Sequence, residues 1–458
     1  MTTRAQRTAN RARRPGAGIG ALATLLALVA ASSALALPPV LGRPADAAQE
    51  EAGVYRTTLP NGMLVVTRER PEAQVAALSV FVRGGSRDED PATVGAAHFM
   101  EHMFFQGTPR RPSSRLIDAP ITERGGWLNA TTGWEGITFF AAVPNNAFDV
   151  MLDVVSDILV NSTFPPAALD KERRVVIEEL NRLLNDPYAY ALETYAKTVF
   201  ADHPAHQMPA GDRATVRTVS PAVLHQFRDR FFRASNMVVA AVGNLRHEEV
   251  EQQVAAAFAE MPSGPPLTWT PAPRPEPRQR TERLSVGARQ AQIVMGWPGP
   301  GFDDPDRYAL EVLNAAVGPG GQQLAGELRD RLRLVTRVDS GYWELTDVGT
   351  WLIAAAAEPD NVDAVVASIL DQVRRLRDQP LSADDVAEAQ AYVRGSTRRG
   401  LERTIDQAQD LSQGISLGYY QPLDSYLARI DAVTPADVQR VARTYLDPDQ
   451  YTLVVLGP

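Results

Sequence analysis

Two histidines four residues apart with a glutamate between them, His98-Phe99-Met100-Glu101-His102, are the residues of this chain best suited to chemistry. In a helix, at about 100° per residue, His98 and His102 lie on one face roughly a turn apart, and Glu101 reaches the same point in space. Neutral imidazoles suit Zn²⁺, and a carboxylate that is not itself a ligand can take a proton from water at the ion's open position. The alternative without chemistry is a buried helix with two hydrogen-bonded histidines and a solvated glutamate. The chain holds only 6 histidines, so two at helical spacing around a Glu favour the metal. The order His-x-x-Glu-His is the reverse of the commoner metalloprotease helix.

A catalytic zinc normally takes three protein ligands, so a third must come from elsewhere. Ala168 to Leu184 reads as a helix, opened by Pro165-Pro166 and closed by Asn185-Asp186-Pro187. On a helical wheel Glu172, Val176, Glu179 and Leu183 share a stripe roughly 60° wide, whereas Glu178 points away. Acids on an apolar stripe require a cation, either a metal or an arginine such as Arg173 or Arg174 in a structural salt bridge.

At these residues the chain resembles the pitrilysin/insulinase-type zinc peptidases, the inverzincin family that includes the mitochondrial processing peptidases and bacterial members of similar length. That family follows the inverted motif, at a characteristic interval, with a ligating glutamate, and carries another glutamate seven positions before it. Positions 103 to 178, which separate His102 from Glu179 here, make up the same interval, and Glu172 is seven before Glu179. The resemblance implies His98, His102 and Glu179 as ligands of one zinc ion per chain, Glu101 as general base, and Glu172 as a supporting acid. It also implies hydrolysis of peptides or unfolded segments in a closed chamber.

Further segments carry the same resemblance. Gly125 to Thr132, followed by an extended run from Thr138 to Val143, is similar to the edge strand on which members hold an extended peptide by β-addition, which makes Asn129 and Ala130 candidate substrate contacts. A turn-stabilising Asn129 is the alternative. Active members also contribute an Arg and, seven residues later, a Tyr from their second half to stabilise the developing oxyanion. Arg329 aligns with that Arg, or else sits on a solvated helix face beside Arg331 and Arg333. The Tyr position holds Thr336, too short to reach the same atom, and Tyr342 lies six residues further on. The departure implies a zinc-bearing subunit completed by a related chain that supplies the Arg/Tyr pair, with a homodimer as the alternative.

An internal repeat is legible without any family. Val219-Ser220-Pro221-Ala222 returns as Val433-Thr434-Pro435-Ala436, and the register continues without a gap through Gly243 and Gly457. Each copy predicts a Pro-initiated helix, a short loop and an apolar strand. The expected architecture is α+β: two homologous halves, each a mostly antiparallel sheet with helices packed on it. Residues 49–261 form the metal-bearing half and 284–458 the other, joined by a Pro-rich surface linker over 262–283. No histidine follows His247, so only the first half can hold the metal.

Residues 1–48 carry a local charge of +5, which leaves −14 for the remainder of a chain whose net charge is −9. The acidic remainder argues against nucleic acid as a partner. Arginines followed by an apolar stretch from Ile19 to Ala31 and small residues read as an export signal, with Arg13-Arg14 as a twin-arginine element. The expected destination is periplasmic or extracellular; an uncleaved membrane anchor is the second choice. With 0 cysteines no disulfide can form, so stability must come from the core. His203-Pro204-Ala205-His206 has a metal-like spacing, but its proline makes it a loop, and Gly318-Pro319-Gly320-Gly321 lacks the Lys of a phosphate loop. The competing function is a peptide-binding or scaffold protein with a structural metal, which would need four ligands.

Overall fold

The computed structural model describes residues 51–265 and 267–458, so the predicted export segment lies outside the described residues. Two sheets organise the chain. The first contains β1 (Val54–Thr58), β2 (Leu64–Glu69), β3 (Val75–Arg83), β4 (Trp127–Thr132), β5 (Gly136–Pro144) and β6 (Met237–Gly243), in the order β1-β2-β6-β3-β5-β4. The second contains β7 (Arg280–Ser285), β8 (Ala291–Gly299), β9 (Val335–Glu344), β10 (Gly349–Ala357) and β11 (Thr452–Gly457), in the order β7-β11-β8-β10-β9. Without β1 the two orders are the same. In both, one pair is parallel (β2 with β6, β7 with β11) and every other pair antiparallel. The helices before the two last strands, Pro221–Phe231 and Pro435–Tyr445, start alike: a proline at the first position and a Ser220 or Thr434 hydroxyl that caps a free backbone N–H. Strand β7 starts at Arg280, so the second sheet begins inside the segment expected to be linker.

Each sheet is buried on both faces, which explains apolar runs such as Met237-Val238-Val239-Ala240-Ala241-Val242 in place of strict alternation. On one face of the first sheet, Leu78, Val80, Val239 and Phe139 pack against helices of their own half. On the other face, Ala77, Phe140, Val238 and Ala240 receive Ile405, Ala408 and Leu411 from the helix Thr404–Leu417, which lies beyond β10 in sequence. The exchange is reciprocal. The helix Pro187–Val199 leaves the first half and lays Ala191, Leu192, Tyr195 and Val199 on Val294, Leu352, Ala354 and Val454 of the second sheet. The Tyr195 hydroxyl meets Thr350 Oγ1 at 2.5 Å, and a Cβ on Gly296 would stand 2.2 Å from that hydroxyl, so the seat requires glycine. Each half therefore completes its core with a helix of the other. Leu411→Ala is expected to cost about 2–5 kcal/mol, measured by urea unfolding. Because this helix, from the second half of the chain, is buried on the first sheet, the two halves should unfold together in a single transition.

Among the described residues no helix is long and apolar enough to cross a membrane.

Candidate metal centre

The His-x-x-Glu-His segment is the helix Ala96–Phe104. Ala96, Ala97, Phe99, Met100, Met103 and Phe104 bury its other faces in the core and so fix which way His98 and His102 point. The helix Pro166–Asn185 packs across it, burying Leu169, Glu172, Val176, Leu180 and Leu183, while Glu178 is exposed, as the helical wheel requires.

Where the two helices meet, His98, His102 and Glu179 present one ligand atom each, all within 4.8 Å of one another. Glu179 Oε2 lies 3.3 Å from His102 Nε2 and 3.6 Å from His98 Nε2. A tetrahedral zinc with bonds of about 2.0–2.1 Å holds its ligand atoms roughly 3.3–3.4 Å apart, so the spacing fits the ion. His102 Nε2 and Glu179 Oε2 are buried and neither makes a hydrogen bond. Buried polar atoms that converge on one point need a cation between them, here either the proton of a charged His102 paired with Glu179 or a metal ion that displaces it. The donor set of two imidazoles and a carboxylate suits zinc and leaves a fourth position open.

The surrounding groups are ordered. Glu172 Oε2 stands 3.2 Å from His102 Nδ1 and its Oε1 accepts from Lys171 Nζ at 3.0 Å, so Glu172 orients the imidazole and is not a ligand. Burial opposes a charge on His102, yet the contacts with Glu172 and Glu179 outweigh it and raise its pKa to about 10. Burial and the neighbouring His102 lower His98 to about 4. Burial favours the neutral acid in Glu172 and Glu179 as well, but His102 beside them pulls both below the usual carboxylate range.

Glu101 is buried, and burial pushes its carboxyl up against the opposing pull of His102 and of a hydrogen bond from Thr132. That bond, Thr132 Oγ1 to Glu101 Oε2 at 2.6 Å, comes from the inward end of β4. The contact of Thr132 with the candidate base is not foreseeable from the sequence, because a lone hydroxyl in a strand carries no periodic signal. Thr132→Val should leave the buried carboxylate one donor short. At about 1.5–3 kcal/mol for a hydrogen bond to a charged group, kcat should fall roughly ten- to hundredfold, and Thr132→Ser should restore it.

The remaining predicted residues separate. Strand β4 is an edge, so its outer backbone groups are open to pairing. Asn129 lies opposite Phe140 and is half-buried, whereas the Ala130 side chain is in the core and only its backbone is available to a ligand. Arg329 is exposed on a π-helical turn, Ala325–Arg331, and pairs with the adjacent Asp330 at 2.8 Å; nothing ties it to the histidine cluster. The Thr336 hydroxyl donates to Ala356 O and Gln290 Oε1. Tyr342 cannot replace the missing phenol, because its hydroxyl is sequestered on Pro300 O at 2.7 Å. His203 and His206 form no metal pair: the His203 ring is engaged by Asp347.

Two topologically equivalent sheets that exchange helices, with an inverted His-x-x-Glu-His helix and a downstream glutamate meeting in the first half, define an inverzincin-type peptidase. The chain belongs to peptidase family M16. The family model described as Insulinase (Peptidase family M16) matches residues 64–212, and the one described as Peptidase M16 inactive domain matches residues 218–393. A protein named as an uncharacterized zinc protease of Streptomyces coelicolor is 33% identical over 88% of this chain and 90% of its own length. A probable mitochondrial-processing peptidase subunit beta of Arabidopsis thaliana is 30% identical over 88% of this chain and 78% of its own. The fold is shared with the crystal structure of a protease from Helicobacter pylori, at a TM-score of 0.83 and 23% identity, over 88% of this chain and 99% of that one.

Proposed function

We propose that this chain is a zinc endopeptidase of peptides or unfolded polypeptide segments, with one ion held by His98, His102 and Glu179. The observation that carries the reading is the convergence of three ligand atoms within 4.8 Å, two of them without hydrogen bonds, beside a buried carboxylate that is not a ligand. When bound, the ion supplies Lewis acidity, which polarises the scissile carbonyl and makes the attacking water more acidic. An extended substrate aligns its backbone along the open edge of β4, which tolerates varied side chains. Thr132 holds Glu101 Oε2 and leaves Oε1 to take the proton of the attacking water. As the C–N bond breaks, the same oxygen passes that proton to the leaving amine. Glu172 keeps the His102 ring in one orientation throughout.

Thr336 and the sequestered Tyr342 favour a zinc-bearing subunit that works in a dimer, its chamber closed by a second, related chain with the Arg/Tyr pair. The relatives named as beta subunits of mitochondrial processing peptidase are in keeping with a heterodimer. Export to the periplasm or beyond completes the proposal, on the basic and apolar character of residues 1–48. The test is purified chain with stoichiometric zinc on a mixed peptide library, alone and with a candidate partner chain. Cleavage only in the presence of the partner supports the subunit reading, and cleavage by the chain alone supports the homodimer. No cleavage in either case overturns the enzyme reading in favour of a peptide-binding scaffold.

A further inference from the structure

The half without a metal reaches the metal centre through a buried charged node. Asp347, in the turn between β9 and β10, accepts both Arg87 Nη1 and Arg87 Nη2 at 2.8 Å. Arg87 Nη1 also donates to Glu135 Oε1 at 3.0 Å, in the equivalent turn between β4 and β5. Glu135 in turn accepts the backbone N–H of Thr346 at 3.1 Å. His203 Nε2 at 3.2 Å and the linker N–H of Ala272 at 2.8 Å complete the coordination of Asp347 Oδ2, and the ring of Trp269, also in the linker, lies 4.9 Å from Arg87 Cζ. All three charged groups of the node are buried.

From this node two short paths lead to the catalytic groups. Two residues beyond Arg87, the buried carboxylate of Glu89 accepts the backbone N–H of Gly95 at 2.8 Å and of Ala97 at 2.6 Å. Those are free donors at the start of the helix that carries His98, Glu101 and His102; burial pushes the Glu89 carboxyl up to about 8 against the opposing pull of these two bonds. Gly95, the residue at the cap position, sits at φ 98° against Gly211 and has no side chain of its own to cap the helix, which leaves that task to Glu89. The second path runs through the backbone. Gly84 N bonds Glu135 O, Ser86 N bonds Gly133 O and Arg87 N bonds Trp134 O, which locks the Arg87 segment to the turn that follows Thr132. Glu89 thus holds the metal helix and Thr132 holds the base, and both hang on loops that meet at Arg87.

We infer that Asp347, from the half that carries no metal, and Glu89 are positioning residues for the metal centre, Asp347 acting through Arg87 and Glu89 acting on the helix itself. The second half is then needed for more than substrate contact: its β9–β10 turn sets the register of the metal helix. The inference rests on the metal reading above and is tested by measurements that do not require turnover. Compare Asp347→Asn and Glu89→Gln with the parent in the rate of zinc loss to a chelator, the visible spectrum of the cobalt-substituted protein, and kcat against KM. Arg87→Lys is the milder variant if Asp347→Asn does not fold. Glu311→Gln, which alters the buried contact of Glu311 with the Tyr426 hydroxyl inside the second half, away from the β9–β10 turn, is the control.

The expected result is zinc loss faster by about 10–100-fold, an altered cobalt spectrum, and a kcat lowered with KM nearly unchanged, all absent in Glu311→Gln. The effect of the double variant Asp347→Asn/Glu89→Gln should be less than the sum of the two single effects, because the two residues share the path from Arg87 to the helix. Lower thermal stability with a parental spectrum and parental zinc loss would overturn the inference, as would equal changes in the control. A parent that binds cobalt at stoichiometry but cleaves no peptide fails the proposed activity, yet the spectra still decide the positioning role.

Discussion

Glu101→Gln is expected to keep stoichiometric zinc and the parental melting temperature while losing peptide hydrolysis by about 100- to 10,000-fold, the usual contribution of a positioned general base. The substitution is nearly isosteric and its carbonyl oxygen still accepts the Thr132 hydroxyl, so the helix is undisturbed. What it lacks is an oxygen able to take a proton. Burial pushes the Glu101 carboxyl up in the metal-free protein, and a divalent cation in the adjacent ligand set draws it back toward the ionised form a base requires. Zinc content and kcat measured on one preparation decide the matter. A variant that retains activity within a few-fold would remove Glu101 from the mechanism, and one that loses zinc would recast it as a ligand.

Glu179→Ala should have the second large effect, loss of the metal itself. Two imidazoles one helical turn apart remain, but the third ligand and its negative charge do not, and three protein ligands are the norm for a catalytic zinc. In the parent, zinc at 100 times its Kd should stabilise the fold by about 2.7 kcal/mol, a shift that disappears in the variant and is readable by thermal unfolding with and without chelator. Zinc binding in the parent should also release a proton. With a pKa of about 10, the metal-free His102 is protonated at neutral pH, whereas His98, at about 4, is already neutral. Zinc therefore competes with one proton, on His102, and its apparent affinity should weaken roughly tenfold for each unit that the pH falls below about 10. Calorimetry in two buffers of different ionisation enthalpy counts the proton. A count of zero at pH 7 would contradict the ion pairing of His102 with Glu172 and Glu179.

Most of the residue cluster that the fold brings together was legible in the sequence because helical periodicity makes it local. His98 and His102 are one turn apart, and the alternation of apolar residues around Glu172 and Glu179 chooses between Glu178 and Glu179 without knowledge of what they face. The internal repeat, from Val219 in one copy and Val433 in the other, likewise foretold two related halves, since helix caps and apolar strands leave the same pattern twice. The limits lay in contacts between residues distant in sequence. Thr132 reaches Glu101 across 31 residues, Asp347 reaches Arg87 across 260, and no composition or spacing marks either partner. For a related reason the strand β7 begins inside the segment read as linker: its pairing with the distant β11, Arg280 beside Thr452, makes it a strand.

Sequence by itself determined which residues could do chemistry, a candidate ligand set of His98, His102 and Glu179 and a candidate base in Glu101, because amino-acid type and short spacing suffice to single out such groups on helices. Tertiary structure alone decided how that chemistry is held. Each sheet buries both faces only by borrowing a helix from the other half, and the metal helix is capped by Glu89, on a loop secured through Arg87 to Asp347 of the second half. These are contacts between surfaces formed far apart along the chain, and their energy depends on burial and geometry that exist only after the two halves have folded together.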